Sequence, residues 1–352
     1  MASAAPLAPV APAPPAKLVI LAGGDVNLAR GAGQHILDDP KYDPFRELGA
    51  WFSSADLRFV NLESQLSDRG GELQSPDNPL IFSGPPGGAD VLARARVDVV
   101  SLANNHAWDY GKSAFLETIA NLERARVRYA GASAQQGEQY EPVMVEVKGF
   151  KVAIFAVTNI WNQGAFADHA GKNYVAWAWL NRLEAPLKRA RENADVVLLS
   201  YHGGSEYVDV PMTWTRDFVR EAMELGIDAV IGHHPHVPHG VAWFGARPVF
   251  YSLGNLVFAM HSDYTWTGIS FMARLTFERG RDLEVEACPY TIDGHVPRPF
   301  AGANKAMLER SFTRKLKNLS LGLGGTVVAE PDGSGCMRLA PVRRETKVAK
   351  TP

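Results

Sequence analysis

Cysteine is almost absent. Cys288 and Cys336 are the only two among 352 residues, which excludes a thiolate metal cluster and leaves a disulfide between them open. Charge shows no excess of either sign: 36 Lys and Arg stand against 38 Asp and Glu, for a net charge of -2. A surface built for nucleic acid needs a basic excess, so nucleic acid is not an expected partner. No apolar run reaches the roughly 18 residues that span a bilayer. Two common enzyme motifs are missing as well, the Gly-x-Ser-x-Gly elbow and the Walker phosphate loop. What remains is an ordinary globular balance, 46% hydrophobic and 21% charged. The length suffices for one large domain or two smaller ones.

Residues 1–16 are nearly all Ala and Pro, with no basic residue before Lys17 and no apolar stretch. They are not an intact signal peptide and are expected to form an extended, mobile linker. A single domain is expected over 17–342, with a frayed Lys/Arg-rich tail at 343–352. The linker leaves two locations open. One is the cell envelope, if a targeting segment once lay upstream; the other is the cytoplasm.

The polar chemistry gathers where apolar strands end. Lys17–Asp25 is an apolar run closing on two glycines and Asp25, and residues 57–63 repeat the design with Asn61 and Glu63. Residues 97–106 end in Asn104, Asn105 and His106, with Asp109 just beyond, and 195–202 ends in His202, followed closely by Glu206. Residues 229–239 hold four of the ten histidines, His233, His234, His236 and His239, after a short apolar strand broken by Gly232. Pro235 biases His234 toward an extended conformation. In an extended turn, His234 and His236 point to the same side and can share a metal ion. Between these strands the spacing predicts helices at 112–126, 178–194, 214–225 and 303–319. It predicts further strands at 128–132, 143–147, 151–157, 248–258 with a break at Gly254-Asn255, 269–277 and 283–288, with a last edge strand at 336–342. The alternation indicates a mixed α/β domain. Each polar residue alone has a plain explanation as a cap, a turn or a bonded histidine. Five strand ends carrying such residues are hard to assign to chance. A carboxylate, imidazole and amide set suits Mn, Zn, Fe or Ca, and Glu63 could bridge two ions about 3.5–4 Å apart.

Six segments carry a family resemblance: Gly24-Asp25, Asn61-Leu-Glu63, Leu102-Ala-Asn-Asn-His-x-x-Asp-x-Gly111, His202-x-Gly-x-Glu-Tyr207, Gly232-His-His-Pro-His-Val237 and Tyr251-Ser-Leu-Gly-Asn255. In this order, over about 17–260, the chain resembles the CapA family of bacterial capsule and poly-γ-glutamate synthesis, within the calcineurin-like metallophosphoesterase superfamily. The resemblance implies a four-layer α/β/β/α sandwich of two mixed sheets and one or two divalent ions at the strand ends. It implies Asp25, Glu63, Asn105, His202, His234 and His236 as metal ligands, and His106 as the acid/base histidine. Asp109 and Glu206 complete the candidate catalytic set. Two departures stand out. Asn27 occupies the place of the superfamily's first-motif histidine, which implies a weakly held or missing ion. Gly203 occupies a place where the family often has Trp, which is expected to open space beside the site.

The function implied is a metal-dependent enzyme acting on a peptide or γ-glutamyl polymer, in contact with a capsule synthesis membrane complex. Two other classes remain: a metal-assisted acid/base peptide epimerase, and a non-catalytic polymer-binding or assembly subunit. Trp161, Trp177, Trp179 and Trp266 are candidates to line a substrate groove, although such residues are more often core.

Overall fold

A computed structural model of the chain describes residues 16–68, 80–260 and 265–342. The linker expected over 1–16 lies, apart from Ala16, outside the described residues, as does the tail expected over 343–352.

The chain lays down half of one sheet, crosses to build a second, and returns to finish the first. The opening part contains β1 (Lys17–Val26), α1 (Arg30–Asp38), α2 (Gly49–Ser54), β2 (Leu57–Leu62), the short pair β3 (Gln65–Leu66) and β4 (Ser83–Gly84), α3 (Gly88–Arg94), β5 (Val99–Ser101), α4 (Gly111–Arg124) and β6 (Arg128–Ala130). The middle part contains β7 (Val143–Val147), β8 (Phe150–Thr158), α5 (Leu180–Asn193), β9 (Val196–His202), α6 (Thr213–Glu224), β10 (Ala229–His233), β11 (Val241–Phe244) and β12 (Arg247–Phe250). The closing part contains β13 (Asn255–Val257), β14 (Ile269–Glu278), β15 (Glu284–Asp293), β16 (Val296–Pro299), α7 (Lys305–Leu321), β17 (Thr326–Pro331) and β18 (Met337–Pro341). The larger sheet runs β17-β18-β15-β14-β1-β2-β5-β6, with β13 added on β1 and β16 on β15; the smaller runs β11-β12-β10-β9-β8-β7. Both are mixed. β1, β2, β5 and β6 are parallel, as are β8, β9, β10 and β12, while β14 and β7 pair antiparallel to them.

The period-2 alternation of the smaller sheet shows why two layers form. Val152, Ile154 and Ala156 of β8, Val196 and Leu198 of β9, and Ala229 and Ile231 of β10 join the large core shared with the first sheet. The intervening Ala153, Phe155, Val157, Val197, Leu199 and Val230 face the other way, against Leu183 and Leu187 of α5 and Val219 and Met223 of α6. A strand buried on both faces reads as a continuous apolar run, as these do. With α2 against β1 and α4 against β6 of the larger sheet, and α7 touching both β17 and β11, the result is the four-layer α/β/β/α sandwich.

Two expectations need correction, and one strand was not expected. The run 248–258 is not one strand: β12 and β13 belong to different sheets, and the break at Gly254-Asn255 is where the chain crosses between them. The strand at 336–342 is not an edge, because β18 lies between β15 and β17. Strand β17, in which only Thr326 and Val328 are buried, carries too little apolar pattern to have been read as buried structure. Cys288 and Cys336 form a disulfide, the alternative that composition had left open.

Candidate metal centre

Parallel packing puts the polar strand ends side by side. Asp25 pairs in register with Asn61 of β2 and with Asn255 of β13, and His233 pairs with His202 of β9. Two glycines let the backbones approach closely enough for this. A side chain on Gly24 would lie 1.8 Å from the Gly254 carbonyl oxygen, and one on Gly232 would lie 2.1 Å from that of Tyr251.

Asn61 is the hub. Its Nδ2 lies 2.9 Å from Asp25 Oδ1, 3.2 Å from Glu63 Oε2 and 3.2 Å from His202 Nδ1. Its Oδ1 accepts from Asn104 Nδ2 at 3.2 Å. Asp25 Oδ2 takes the His234 backbone N–H at 3.3 Å and lies 3.3 Å from His236 Nδ1; Oδ1 lies 3.3 Å from His233 Nδ1. Glu63 Oε1 has no hydrogen-bond partner but faces His202 Nε2 and His236 Nε2, each at 3.7 Å. His202 Nε2 meets Asn105 Oδ1 at 2.7 Å, and His236 Nδ1 meets Asn255 Oδ1 at 2.9 Å. Asp25, Glu63 and His202 are fully buried, and His234 and His236 nearly so.

Burial and charge split the titrations. Burial pushes the Glu63 carboxyl well above its usual range, helped by the nearby charges of Asp25 and Glu206. Burial also works to raise Asp25, but the facing rings of His233 and His236 outweigh it and hold that carboxyl well below the usual range. Burial, reinforced by His234, lowers His202 well below an ordinary imidazole, and burial with His236 lowers His234 to about 3. His236 is raised, because its bond to and attraction for Asp25 exceed the cost of its burial.

Seven residues could hold cations. Three groups of donor atoms converge within 4.8 Å: Asp25, Glu63 and His236; Glu63, His202 and His234; and Glu206, His234 and His236. Asn105 joins the second group through its contact with His202. The first two groups share Glu63, the arrangement of a bridging carboxylate. The donor set fits a divalent cation. Two carboxylates are fully buried, and among the described residues no Lys or Arg pairs with either. Glu63 Oε1 and His234 Nδ1 have unmatched polar atoms inside the cluster. Such burial is costly unless a cation compensates it.

The cluster reaches a cavity of about 670 Å³ through Asn105, Glu206 and His236, and Arg30, Phe82, His106, Asp109, Trp161 and Gln163 also line it. His106 Nδ1 donates to Asp109 Oδ2 at 2.7 Å. Asp109 also accepts from the Phe82 backbone N–H at 2.6 Å and from Gln163 Nε2 at 3.0 Å. Its position, and with it the His106 ring, is thereby set from three sides.

The structure places Asp25, Glu63, Asn105, His202, His234 and His236 together, His106 and Asp109 on the adjoining cavity wall, and His239 apart, bonded to the Val208 carbonyl. His234 and His236 are not extended; they have φ of 95° and 58°. The His234 N–H is turned in to Asp25, and the Pro235 carbonyl is held by the Tyr207 N–H at 2.9 Å. These bonds outweigh the local bias from Pro235, and the rings still converge, with centroids 5.9 Å apart. Gly203 does not open space: a side chain there would lie 2.0 Å from Asn159 Oδ1. Of the four tryptophans only Trp161 lines the cavity. Trp177 and Trp179 pack against Phe166, and Trp266 lies under Lys315. Glu206 groups with His234 and His236 and makes no described hydrogen bond to His106 or Asp109. The hub role of Asn61, the ties made by Asn104 and Asn255, and the reach of Gln163 were missed. Period 2 was the available signal for Asn61, which shares the face of Glu63.

The profile of the bacterial capsule synthesis protein PGA_cap family matches residues 19–260, more than half of the chain. The chain belongs to that family. It is 26% identical to the capsule biosynthesis protein CapA of Bacillus anthracis, in a match covering 85% of this chain and 73% of that protein. It is 27% identical to the PGA biosynthesis protein CapA of Bacillus subtilis, in a match covering 64% of this chain and 58% of that protein. A crystal structure of a hypothetical protein from Thermus thermophilus superposes with a TM-score of 0.50 at 20% identity, covering 80% of this chain and all of that one. That likeness concerns the fold alone.

Proposed function

We propose that this PGA_cap chain is a metal-dependent enzyme acting on an amide-linked substrate, a peptide or γ-glutamyl polymer, in capsule or envelope polymer metabolism. The observation that carries it is the convergence of Asp25, Glu63, His202, His234 and His236 on shared donor groups, with His236 opening onto a cavity that also presents His106. The names of the Bacillus relatives support the polymer. Asp25, Glu63 and His236 would hold one ion, and Glu63, Asn105, His202 and His234 a second. When bound, such ions supply Lewis acidity, polarising a substrate oxygen and acidifying water. The residues do the rest. Asn61 orients both carboxylates and His202. Asp109 fixes the His106 tautomer with the proton on Nδ1, leaving Nε2 to exchange a proton with the substrate. Phe82, with its ring centroid 4.2 Å from that of His106, shields the imidazole from water.

The buried Cys288–Cys336 disulfide supports a location outside the reducing cytoplasm, and the names of the Bacillus relatives support a role alongside a capsule synthesis complex. Elemental analysis tests the metal reading. Wild-type protein is expected to carry one or two equivalents of a transition metal, and the double variant His234→Ala/His236→Ala none. A wild type that stays metal-free after incubation with Mn, Zn, Fe or Ca would overturn it.

A further inference from the structure

We propose that Glu206 is a cation ligand entering from the cavity side, supplying the donor that Asn27 does not. This rests on the metal reading above and adds a ligand that the strand ends do not provide. Asn27 stands two residues after Asp25, yet its Oδ1 is taken by the Ala29 backbone N–H at 2.8 Å. Its remaining polar atom, Nδ2, is a donor with no lone pair to give, although it is buried and unbonded. The group Asp25, Glu63 and His236 offers three donors, and Asn27 is not among them.

Glu206 sits in the turn after β9. The Tyr207 N–H pins that turn to the Pro235 carbonyl, against the His234-Pro235-His236 corner. Tyr207 itself takes φ of 61°, so the turn bends sharply just past Glu206. One Glu206 oxygen lies within 4.8 Å of ligand atoms of both His234 and His236. Donors of one ion at about 2.1 Å stand up to about 4.2 Å apart, so a small rotation of the exposed carboxylate closes the gap. His236 belongs to the first donor group and His234 to the second. Glu63 belongs to both groups from the core, where it is fully buried, while Glu206 meets one histidine of each from the cavity, which it lines. A ligand on the open side is one that a substrate carboxylate or carbonyl can displace.

The test is a Mn²⁺ titration of chelator-treated full-length protein, read by electron paramagnetic resonance, with circular dichroism to confirm folding. Glu206→Gln is expected to weaken Mn²⁺ binding roughly 10–100-fold. Glu206→Asp should restore part of that loss. Asp209→Asn, which removes a charge from the same turn where it pairs with Lys315, should leave binding unchanged. Wild-type affinity in Glu206→Gln would overturn the assignment while leaving the metal reading intact. An equal loss in Asp209→Asn would overturn it too, since charge alone would then explain the effect. A wild type that binds no Mn²⁺ would overturn both.

Discussion

At the scale of single residues, the centre depends on an amide that is not itself expected to bind metal. Asn61 places one NH₂ group between Asp25, Glu63 and His202 and is itself held by Asn104. Two buried carboxylates brought together without that donor would face each other unbridged. Asn61→Leu keeps most of the volume and removes the donor. Leaving buried acceptors unsatisfied costs about 1–3 kcal/mol. Chelator-treated Asn61→Leu is therefore expected to lose about 1–3 kcal/mol of unfolding free energy, seen as a lower urea midpoint with an unchanged denaturant slope. Its divalent-cation affinity should also fall. Urea melts with and without Mn²⁺ measure both, and a variant as stable as wild type would show that the bonds around Asn61 contribute nothing net.

At the scale of elements, the decisive piece is the corner following β10, which ties two loops together. His239 Nε2 donates to the Val208 carbonyl at 2.7 Å, two residues beyond Glu206, and the ring is almost fully buried. Burial pushes His239 down to about 4, and the bond to Val208 offsets only part of that. The folded imidazole stays neutral where the unfolded one, near 6.5, takes a proton. Its contribution to stability is thus complete above about pH 6.5 and drains away as pH falls toward 4. The amount at stake is on the order of 3 kcal/mol. His239→Gln keeps an N–H donor that does not titrate. Between pH 7 and pH 4.5 wild type is expected to lose roughly 2–3 kcal/mol more unfolding free energy than this variant. Equal losses by urea denaturation at the two pH values would contradict it.

The same corner shows what was legible in the sequence and what was not. The apolar strands, their polar ends and the amphipathic helices α4, α5, α6 and α7 could be read from periodicity, because each is dictated by local burial. The candidate ligands could be read for the same reason, as polar residues interrupting an apolar run. The left-handed His234 and His236 could not, because their backbone is set by bonds to Asp25 and Tyr207 from distant parts of the chain. Nor could the place of Asn159 in the space beside Gly203, or the separation of β12 and β13 into two sheets. Those depend on which strands become neighbours, and no local pattern encodes that.

At the scale of the whole molecule, the candidate metal cluster and the disulfide belong to different parts of one sheet. The cluster sits at the ends of β1 and β2, facing β9 and β10 of the other sheet. The antiparallel β14, β15, β18 and β17 extend from β1 in the opposite direction from β2. Only three residue pairs join β15 to β18, Val285 with Leu339, Glu286 with Arg338 and Ala287 with Met337. Cys288 and Cys336 are the next positions in that register, so the disulfide continues a short ladder with a covalent bond. It closes a segment of 48 residues that includes α7. Restricting a loop of that length in the unfolded chain stabilises the fold by about 4 kcal/mol in the chain-entropy account. That is a large part of the roughly 5–15 kcal/mol typical of a folded domain. Cys288→Ala/Cys336→Ala is therefore expected to lower the unfolding free energy by up to about 4 kcal/mol. Thiol reduction of wild type should act in the same direction. Mn²⁺ affinity measured below the unfolding transition should stay within about twofold of wild type, because no ligand lies on β14, β15, β17 or β18. Unchanged urea midpoints would show that the β15–β18 ladder needs no covalent support. A collapse of cation binding in the still-folded variant would show that the strands on this side of β1 help to set the geometry of Asp25.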